Sequence, residues 1–382
     1  MRPPVLMLSQ EVHPIPPTKG AAVEQWIDAV AHRMTRYQAY VVSVPHPTRP
    51  DREFDGDVHY HRIRIGRVYN RVFRKLTRLD PYSYIDRVTR YARSIRPAIV
   101  HIHNAPRFVL PVVQGVPGAK VILHMHNEKD DEIGARVAAL VGCSDYICDW
   151  YRQRQVLADR FITLANGVDI AAYAPTRATE EQRRGLRAEF GVPADRFVVL
   201  YAGRISPEKG ADCLVDALRV LEKDRFHLVL LGEWPSGDPA TSKRVRFSLE
   251  LAERLRDVPH TVLGSVLPNE MGRLYGLADL LVIPSRFEEP FSMVAIEAMA
   301  AHVPVMALRK GGMTEYMKDG ENAFLVDGEA SAEELGNAIR KASESQLQRD
   351  WQAKVAREMV AARFDWRHIA NDVERLYDQV LA

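Results

Sequence analysis

The chain has 382 residues, of which 46% are hydrophobic and 27% charged, and its formal net charge is +2. A chain of this length is expected to form two domains, and its composition excludes disordered, fibrous and membrane-spanning classes of protein. Its three cysteines include no C-x-x-C pair, which argues against a structural zinc site and for a reducing compartment. We therefore expect a cytoplasmic protein.

The first half of the chain alternates short apolar runs with longer helical patterns. Its N-terminal run lacks the apolar region of a signal peptide and is typical of a buried strand. Runs that are apolar throughout, each followed by a helical pattern such as that over 22–36, indicate a parallel sheet with helices on both faces. The strands predicted in this half span 4–9, 40–45, 98–104, 120–127, 141–147 and 161–168.

A strongly basic stretch begins near residue 60. Residues 60–107 carry 12 Lys and Arg against 2 Asp and Glu. Apolar residues alternate with basic ones at helical spacing over 67–79, which predicts an amphipathic helix. Such a surface can meet an anionic membrane or a phosphate-bearing acceptor, and a solvated helix face explains the pattern equally well. Nucleic-acid binding is disfavoured because no recognised reader module flanks the stretch.

A loop-forming segment over about 170–195 separates this half from a second series of strands and helices. The segment loses strand character and contains Pro175, Gly191 and Pro193. Two such series predict an α/β fold of two doubly wound, Rossmann-like domains, 1–170 and 171–365, facing across a cleft in which ligands are expected to bind. The later strands are predicted over 197–204, 226–233, 261–266, 280–285, 303–308 and 323–327, with helices over 210–224, 246–256 and 332–343.

Two cations follow the first strand of the second series, in "YAGRISPEKG" (201–210). Arg204 ends the strand, and Lys209 and Gly210 open the next helix. Both cations therefore lie at the carboxyl end of a strand, where ligands of α/β proteins bind. A guanidinium and an ammonium that converge there suit a diphosphate.

Carboxylates surround the start of a later helix, in "RFEEPFSMVAIEAMA" (286–300). The first free amides of this helix are expected at Phe291, Ser292 and Met293, where they would form an anion site. Glu289 in the preceding loop and Glu297 within the helix can accept hydrogen bonds from sugar hydroxyls. The alternative is that Glu289 caps the helix and Glu297 lies on the surface. An unpaired carboxylate in an apolar run is costly, however, which favours contact with a ligand.

Two other kinds of motif, His-x-His and Asp-x-Asp, contain residues that bind metals in some proteins but more often have ordinary polar roles. The chain contains three His-x-His pairs, at residues 59 and 61, 101 and 103, and 124 and 126. Each pair shares one face of a strand, but no carboxylate or cysteine completes a ligand set by spacing, so no metal site is predicted. The Asp-x-Asp of "FDGDV" (54–58) resembles a metal-binding motif known from one class of sugar transferases, and we interpret it as a turn.

The chain resembles retaining glycosyltransferase family 4, which has the GT-B fold. The resemblance rests on the Glu-x(7)-Glu spacing and on "AGRISPEKG", "NGVD" and "GGMTEYMKDGENAFLVD". It covers essentially the whole chain and implies that a last helix, 366–382, crosses back to the N-terminal domain. The segments "HIHNAPRFV", "HMHNEKDDEI" and "LGEWPSGD" are similar to the subgroup of spore-coat-associated and surface-polysaccharide glycosyltransferases.

The resemblance implies a role for each matching residue. Arg204 and Lys209 would bind the donor diphosphate and stabilise the leaving group. Glu297 would hold the ribose and Glu289 the transferred sugar, and closure of the cleft would bring His126 beside that sugar. Further donor contacts are implied for Gly20, Gly203, Pro290, Phe291, Ser292 and Met293. Acceptor contacts are implied for Lys19, His103, Asn104, Asn127 and Glu128.

The expected activity follows from the same resemblance. The enzyme would move a hexose or N-acetylhexosamine from a nucleotide-diphosphate sugar, with UDP favoured over GDP, to a hydroxyl of a bacterial surface glycan or glycolipid. No cofactor or metal is expected, and basic residues 62–96 would contact an anionic membrane at the inner face of the plasma membrane. The alternatives are a nucleotide-sugar epimerase on the same fold and a non-catalytic scaffold or coat protein. Ser292 departs from the family, which often has glycine there.

Overall fold

The computed structural model describes residues 2–18, 20–65, 75–76, 83–173, 180–266 and 268–382. The chain divides into two compact units. Unit 1 comprises Met1–Gly167 and Trp366–Ala382, and unit 2 comprises Val168–Asp365. Each unit is built on one sheet covered by helices, so the predicted α/β fold with two Rossmann-like sheets is confirmed.

The sheet of unit 1 has eight strands in its described part, in the order β3-β4-β2-β1-β5-β6-β7-β8. All neighbours are parallel except β3 and β4, which form an antiparallel hairpin at one edge. The strands are Pro4–Leu8 (β1), Gln38–Ser43 (β2), Arg52–Asp55 (β3), Val58–Arg62 (β4), Ile99–His103 (β5), Lys120–Met125 (β6), Ala139–Gly142 (β7) and Phe161–Thr163 (β8).

Helices follow most of these strands, as a doubly wound fold requires. They are Ala22–Ala31 (α1), Tyr84–Ile95 (α2), Val109–Gly115 (α3) and Asp145–Gln153 (α4). The central strand β5 is buried along its whole length, and β1 and β6 are buried beyond their first residues. Their continuous apolar character is therefore the signature of strands covered on both faces.

The sheet of unit 2 has six parallel strands among the described residues, in the order β11-β10-β9-β12-β13-β14. The strands are Phe197–Ala202 (β9), Phe226–Leu231 (β10), His260–Gly264 (β11), Leu280–Ile283 (β12), Val305–Leu308 (β13) and Phe324–Val326 (β14). The helices are Glu180–Glu189 (α5), Ala211–Arg219 (α6), Lys243–Leu255 (α7), Pro268–Leu274 (α8), Met293–Ala300 (α9), Ala332–Glu344 (α10) and Gln346–Arg363 (α11).

The last helix, Trp366–Leu381 (α12), belongs to unit 1, although it follows unit 2 in the chain. It packs on α1. The buried carboxylate of Glu374 accepts hydrogen bonds from the main-chain N–H groups of Thr35 (2.8 Å) and Arg36 (2.6 Å). These bonds fix α12 against the loop that connects α1 to β2.

The structure differs from the predicted elements at three places in unit 1. The strand predicted over 141–147 ends at Gly142, because the Ser144 hydroxyl accepts the N–H of Ile147 and starts α4. The strand predicted over 161–168 ends at Thr163. Strand β3 is absent from the predicted strands, since it is a short strand at a sheet edge. The Asp-x-Asp at its end does form a turn, as predicted, with Gly56 at a φ of 63°.

The predicted basic amphipathic helix over 67–79 lies outside the described residues, apart from Lys75 and Leu76, which are both exposed. Among the residues that the structure describes, every helix is too short or too polar to cross a membrane.

Candidate active site

The predicted donor residues of unit 2 lie on loops that leave one edge of its sheet. Strands β9, β12 and β13 are neighbours in the sheet and run parallel, so their carboxyl ends meet at that edge. The segment 203–210 follows β9, the segment 284–292 follows β12, and the segment 309–315 follows β13. The topology thus brings together motifs that are about 100 residues apart in the sequence.

The first of these segments is a tight turn that requires glycine at its end. Gly210 has a φ of 69°, and a Cβ built on it would lie 1.9 Å from the carbonyl oxygen of Pro284. The turn therefore packs directly on the backbone that follows β12. At its other end, the Tyr201 hydroxyl donates to the carbonyl of Arg204 at 2.7 Å.

The turn presents the two predicted cations in different environments. The side chain of Lys209 is largely covered, and its Nζ lies 2.5 Å from Oε1 of Glu289. Arg204 is exposed. The same Glu289 oxygen accepts a hydrogen bond from the Ser285 hydroxyl at 2.7 Å. The structure therefore joins Lys209 and Glu289, two residues assigned separately from the sequence, in one buried ion pair.

The position of Glu289 depends on the loop after β13. Gly312 donates its N–H to the Glu289 carbonyl at 2.8 Å. Gly311 has a φ of 56°, and a Cβ there would lie 2.5 Å from that carbonyl oxygen. Gly311 also donates its N–H to the carboxylate of Glu288. These contacts hold the two loops together, and the Glu289 side chain is only 5% exposed.

The helix after Glu289 begins later than predicted. Helix α9 starts at Met293, so its first free amides belong to Ser292, Met293 and Val294 rather than to Phe291. Ser292, the residue before the helix, has φ 73° and ψ 95°, a conformation that residues other than glycine rarely adopt. The ring of Phe291 is buried against Tyr316, so only its backbone is available to a ligand.

Glu297 is buried, and it has protein partners that the sequence did not reveal. The Tyr275 hydroxyl donates to its Oε2 at 2.9 Å, and the Tyr173 hydroxyl also bonds to the carboxyl group. Burial raises the pKa of Glu297 to about 7, although both tyrosines oppose that rise. The premise that this carboxylate would be unpaired without a ligand is therefore wrong. The sequence around Glu297 could not predict these contacts, because Tyr173 and Tyr275 lie far from it in the sequence, outside helix α9.

In unit 1, the predicted residues follow two neighbouring strands, β5 and β6. His126 comes after β6, and its Nδ1 lies 3.2 Å from Oδ1 of Asn166. Desolvation lowers the pKa of His126 to about 4, so its imidazole is neutral at pH 7. Asn104 comes after β5 with a φ of 54°, and its side-chain oxygen accepts the main-chain N–H of His126 at 3.4 Å. The neutral imidazole of His126 thus lies beside the Asn166 side chain, and its main chain is held by Asn104.

The other predicted residues of unit 1 differ in accessibility. Asn127 and Glu128 are exposed, and Glu128 accepts a hydrogen bond from the Tyr146 hydroxyl. Gly20 is also exposed, and a Cβ at this position would have nothing within 4 Å. Lys19 lies outside the described residues. The side chain of His103 is 0% exposed, with the Trp26 ring packed against it, and its contact with an acceptor stays a prediction.

One cation near Asn104 was missed by sequence reasoning. Lys129 donates from Nζ to the Asn104 carbonyl at 2.6 Å and to Oε1 of Gln10 at 3.0 Å. Burial lowers its pKa. Lysine in an acidic loop such as "NEKDDE" is typical of a solvated surface, so only the fold shows that Lys129 lies at the ends of β1 and β5.

The two Rossmann-like units have the fold of the GT-B class. Solved structures of that class match along nearly the whole chain. Sucrose-phosphate synthase from Thermosynechococcus elongatus has a TM-score of 0.81 at 22% identity, and the match covers 99% of both chains. Anabaena Alr3699/HepE in complex with UDP and glucose has a TM-score of 0.76 at 22% identity, over 99% of this chain and 100% of that one.

Sequence comparisons place the chain within a family. Residues 182–359 match the glycosyl transferases group 1. The lipopolysaccharide 1,2-N-acetylglucosaminetransferase of Salmonella typhimurium is 30% identical over 94% of both chains. Spore coat protein SA of Bacillus subtilis is 27% identical over 98% of this chain and 99% of its own. The chain belongs to the group 1 glycosyl transferases, and it is an enzyme of the hexosyltransferase class.

Proposed function

We propose that this glycosyltransferase moves a hexose or N-acetylhexosamine from a nucleotide-diphosphate sugar, with UDP as the favoured nucleotide, to a hydroxyl of a bacterial surface glycan or glycolipid. The observation that carries the proposal is the ion pair between Lys209, which shares a turn with the exposed Arg204, and the buried Glu289 on the loop after β12. Unit 2 would bind the donor, and unit 1 would bind the acceptor.

The two cations of the turn would hold the donor diphosphate. Arg204 offers a planar set of donors that matches phosphate oxygens, and Lys209 offers a compact positive charge. Free amides at the start of α9, from Ser292 and Met293, would add hydrogen bonds to the same anion. As the bond to the sugar breaks, negative charge grows on the leaving phosphate, so these groups act most strongly in the transition state.

The carboxyl groups would recognise the sugars on either side of the diphosphate. Glu289 is fixed by Lys209 and Ser285, so its second oxygen can accept a hydrogen bond from a hydroxyl of the transferred sugar. Glu297 would bond the ribose hydroxyls. Its raised pKa lets it do so as donor when protonated and as acceptor when ionised.

We propose that transfer retains the anomeric configuration by front-side attack. The acceptor oxygen bonds to the anomeric carbon as the glycosidic bond to phosphate breaks, and the leaving phosphate oxygen takes the acceptor's proton. Such a reaction needs no protein nucleophile and no metal at the diphosphate, and its rate rests on positioning and charge stabilisation. The neutral imidazole of His126 would orient the transferred sugar through a hydrogen bond.

The acceptor class and the location rest on the relatives and on charge. The Salmonella relative is named for lipopolysaccharide, which supports a surface glycan or glycolipid as acceptor. Residues 60–107 carry 12 basic and 2 acidic residues, which suits contact with an anionic lipid surface. We therefore propose that the enzyme works in the cytoplasm at the inner face of the plasma membrane.

The test is calorimetric binding of UDP, GDP, ADP and their sugars to the full chain, followed by a transfer assay. We expect binding of one nucleotide that weakens at least tenfold in both Arg204→Ala and Glu297→Gln. Arg219→Ala removes an exposed arginine elsewhere in unit 2 and serves as control. Absence of binding to every nucleotide contradicts the donor assignment. Conversion of the donor sugar without any acceptor would instead indicate an epimerase.

A further inference from the structure

Two of the three His-x-His pairs meet inside unit 1. His101 and His103 lie on β5 and His124 lies on β6, with His103 and His124 paired in register. The side chains of all three are 0% exposed. Their rings are 4.1 to 5.4 Å apart, centre to centre. One ligand nitrogen from each ring lies within 4.8 Å of the other two.

Each of these buried imidazoles has at least one ring nitrogen that is left unbonded. His101 bonds to the Tyr377 hydroxyl through Nδ1 at 2.7 Å, and His103 approaches His126 through Nδ1 at 3.5 Å. The Nε2 atoms of both have no hydrogen-bond partner. His124 faces the main chain at Leu164, and neither of its ring nitrogens meets hydrogen-bond geometry.

This pattern is that of histidines that bind metal. A ligating histidine commonly uses one nitrogen for the metal and the other for a neighbouring group that fixes the ring. A buried polar atom without a partner destabilises the folded state, and here three side chains contribute such atoms in one place. A ligand that accepts several nitrogen lone pairs at once removes that destabilisation.

We propose that His101, His103 and His124 bind one divalent transition-metal ion of the zinc class. Three imidazoles suit Zn²⁺, Co²⁺ or Ni²⁺, whereas Mg²⁺ and Ca²⁺ require oxygen ligands, which the set lacks. Ligand nitrogens around a tetrahedral zinc ion are about 3.4 Å apart, given zinc–nitrogen bonds of about 2.0–2.1 Å. The three nitrogens, which lie within 4.8 Å of one another, would have to move closer by side-chain rotation to bind one ion.

The ion would have a structural role, separate from the proposed transfer reaction. Its ligands are closed to solvent, so no substrate reaches it. It would join β5 to β6, and the bond from His101 to Tyr377 would extend that link to α12. Trp26, whose ring centre lies 4.7 to 5.8 Å from those of the three histidines, covers the cluster and provides a fluorescent reporter.

The experiment uses the full chain without an affinity tag, stripped of metal with a chelator and titrated with Co²⁺. We expect uptake of one equivalent, the visible absorption of tetrahedral Co²⁺, quenching of Trp26 fluorescence, and displacement by Zn²⁺. His124→Gln should lose this uptake. His59→Gln, from the remaining His-x-His pair of the same unit, should bind as the unaltered chain does.

Two outcomes overturn the proposal: no stoichiometric uptake by the unaltered chain, or uptake that His124→Gln leaves unchanged. Circular dichroism shows whether the variant folds. If it does not, X-ray absorption of the unaltered chain loaded with Zn²⁺ decides instead. Three imidazole nitrogens at about 2.0–2.1 Å support the site, and a shell with sulfur ligands, or of oxygen alone, contradicts it.

Discussion

Glu297 shows how the interior of unit 2 changes the chemistry of one residue. The residue is 9% exposed and its carboxyl group is bonded to Tyr275, and desolvation raises its pKa to about 7 from the ordinary 4.5. Between these two pKa values the folded state holds a proton that the unfolded state has released. Stability therefore falls as the pH rises through this window.

We predict that Glu297→Gln removes this pH dependence. Relative to the variant, the unaltered chain should lose on the order of 3 kcal/mol of unfolding free energy between about pH 4.5 and pH 7. Urea unfolding at pH 5 and pH 8 measures the difference. Glu333→Gln, at an exposed site, should follow the unaltered chain. Equal pH dependence in both variants would show that Glu297 titrates normally.

Arg204 and Lys209 are predicted to separate activity from stability. Arg204 is exposed, so Arg204→Ala should leave the unfolding free energy within about 0.5 kcal/mol while lowering kcat about 100-fold. Lys209→Ala should lower both, since it leaves the buried Glu289 carboxylate without its cation, at a cost of about 1–3 kcal/mol. Thermal unfolding and a transfer assay measure the two effects. Loss of stability in Arg204→Ala would contradict this division of roles.

Ser292 holds a backbone conformation that favours glycine, at φ 73°. Ser292→Gly should stabilise unit 2 by about 1 kcal/mol, because the Cβ clash of a left-handed residue disappears. Ser292→Ala keeps the Cβ and is the matched control, with no stabilisation expected. Differential scanning calorimetry compares the two. A lower Tm for the glycine variant than for the alanine variant would contradict the assignment of strain.

At the scale of elements, the turn from Gly203 to Gly210 positions the cations because it packs on the backbone after β12. We predict that Gly210→Ala costs more than about 2 kcal/mol, since the new Cβ would meet the Pro284 oxygen 1.9 Å away. Gly264 has the same φ of 69° and open space around it. Gly264→Ala should therefore cost only about 1–2 kcal/mol. Chemical denaturation of both variants measures the difference, and equal costs would show that the contact with Pro284 is unimportant.

Most strands were predictable because a covered parallel strand is an uninterrupted apolar run, as β9 and β10 illustrate. Element boundaries were less predictable, since side-chain capping overrides apolar character. Ser144 ends the run after β7 by starting a helix, and the strained Ser292 delays the start of α9. The edge strand β3 carries little apolar pattern, and only its pairing with β4 in the sheet reveals it.

At the scale of the whole molecule, unit 1 includes helix α12, which follows unit 2 in the sequence. Glu374→Ala should destabilise unit 1 by about 3 kcal/mol, because the N–H groups of Thr35 and Arg36 lose a charged acceptor. Hydrogen exchange followed by mass spectrometry should show faster exchange in α12 and in residues 32–43, with unit 2 unchanged. Gln379→Ala, at an exposed position on α12, is the control. Uniform acceleration in both units would contradict this local effect.

The sequence by itself determined the class of fold, the two cations of "AGRISPEKG" and the glutamates of the Glu-x(7)-Glu spacing, because strand periodicity and motif spacing are local properties of the chain. Only the tertiary structure decided what these groups touch. It paired Lys209 with Glu289 and gave Glu297 two tyrosines. It also packed two histidine pairs against each other, because neighbouring strands bring together side chains that sequence spacing keeps apart.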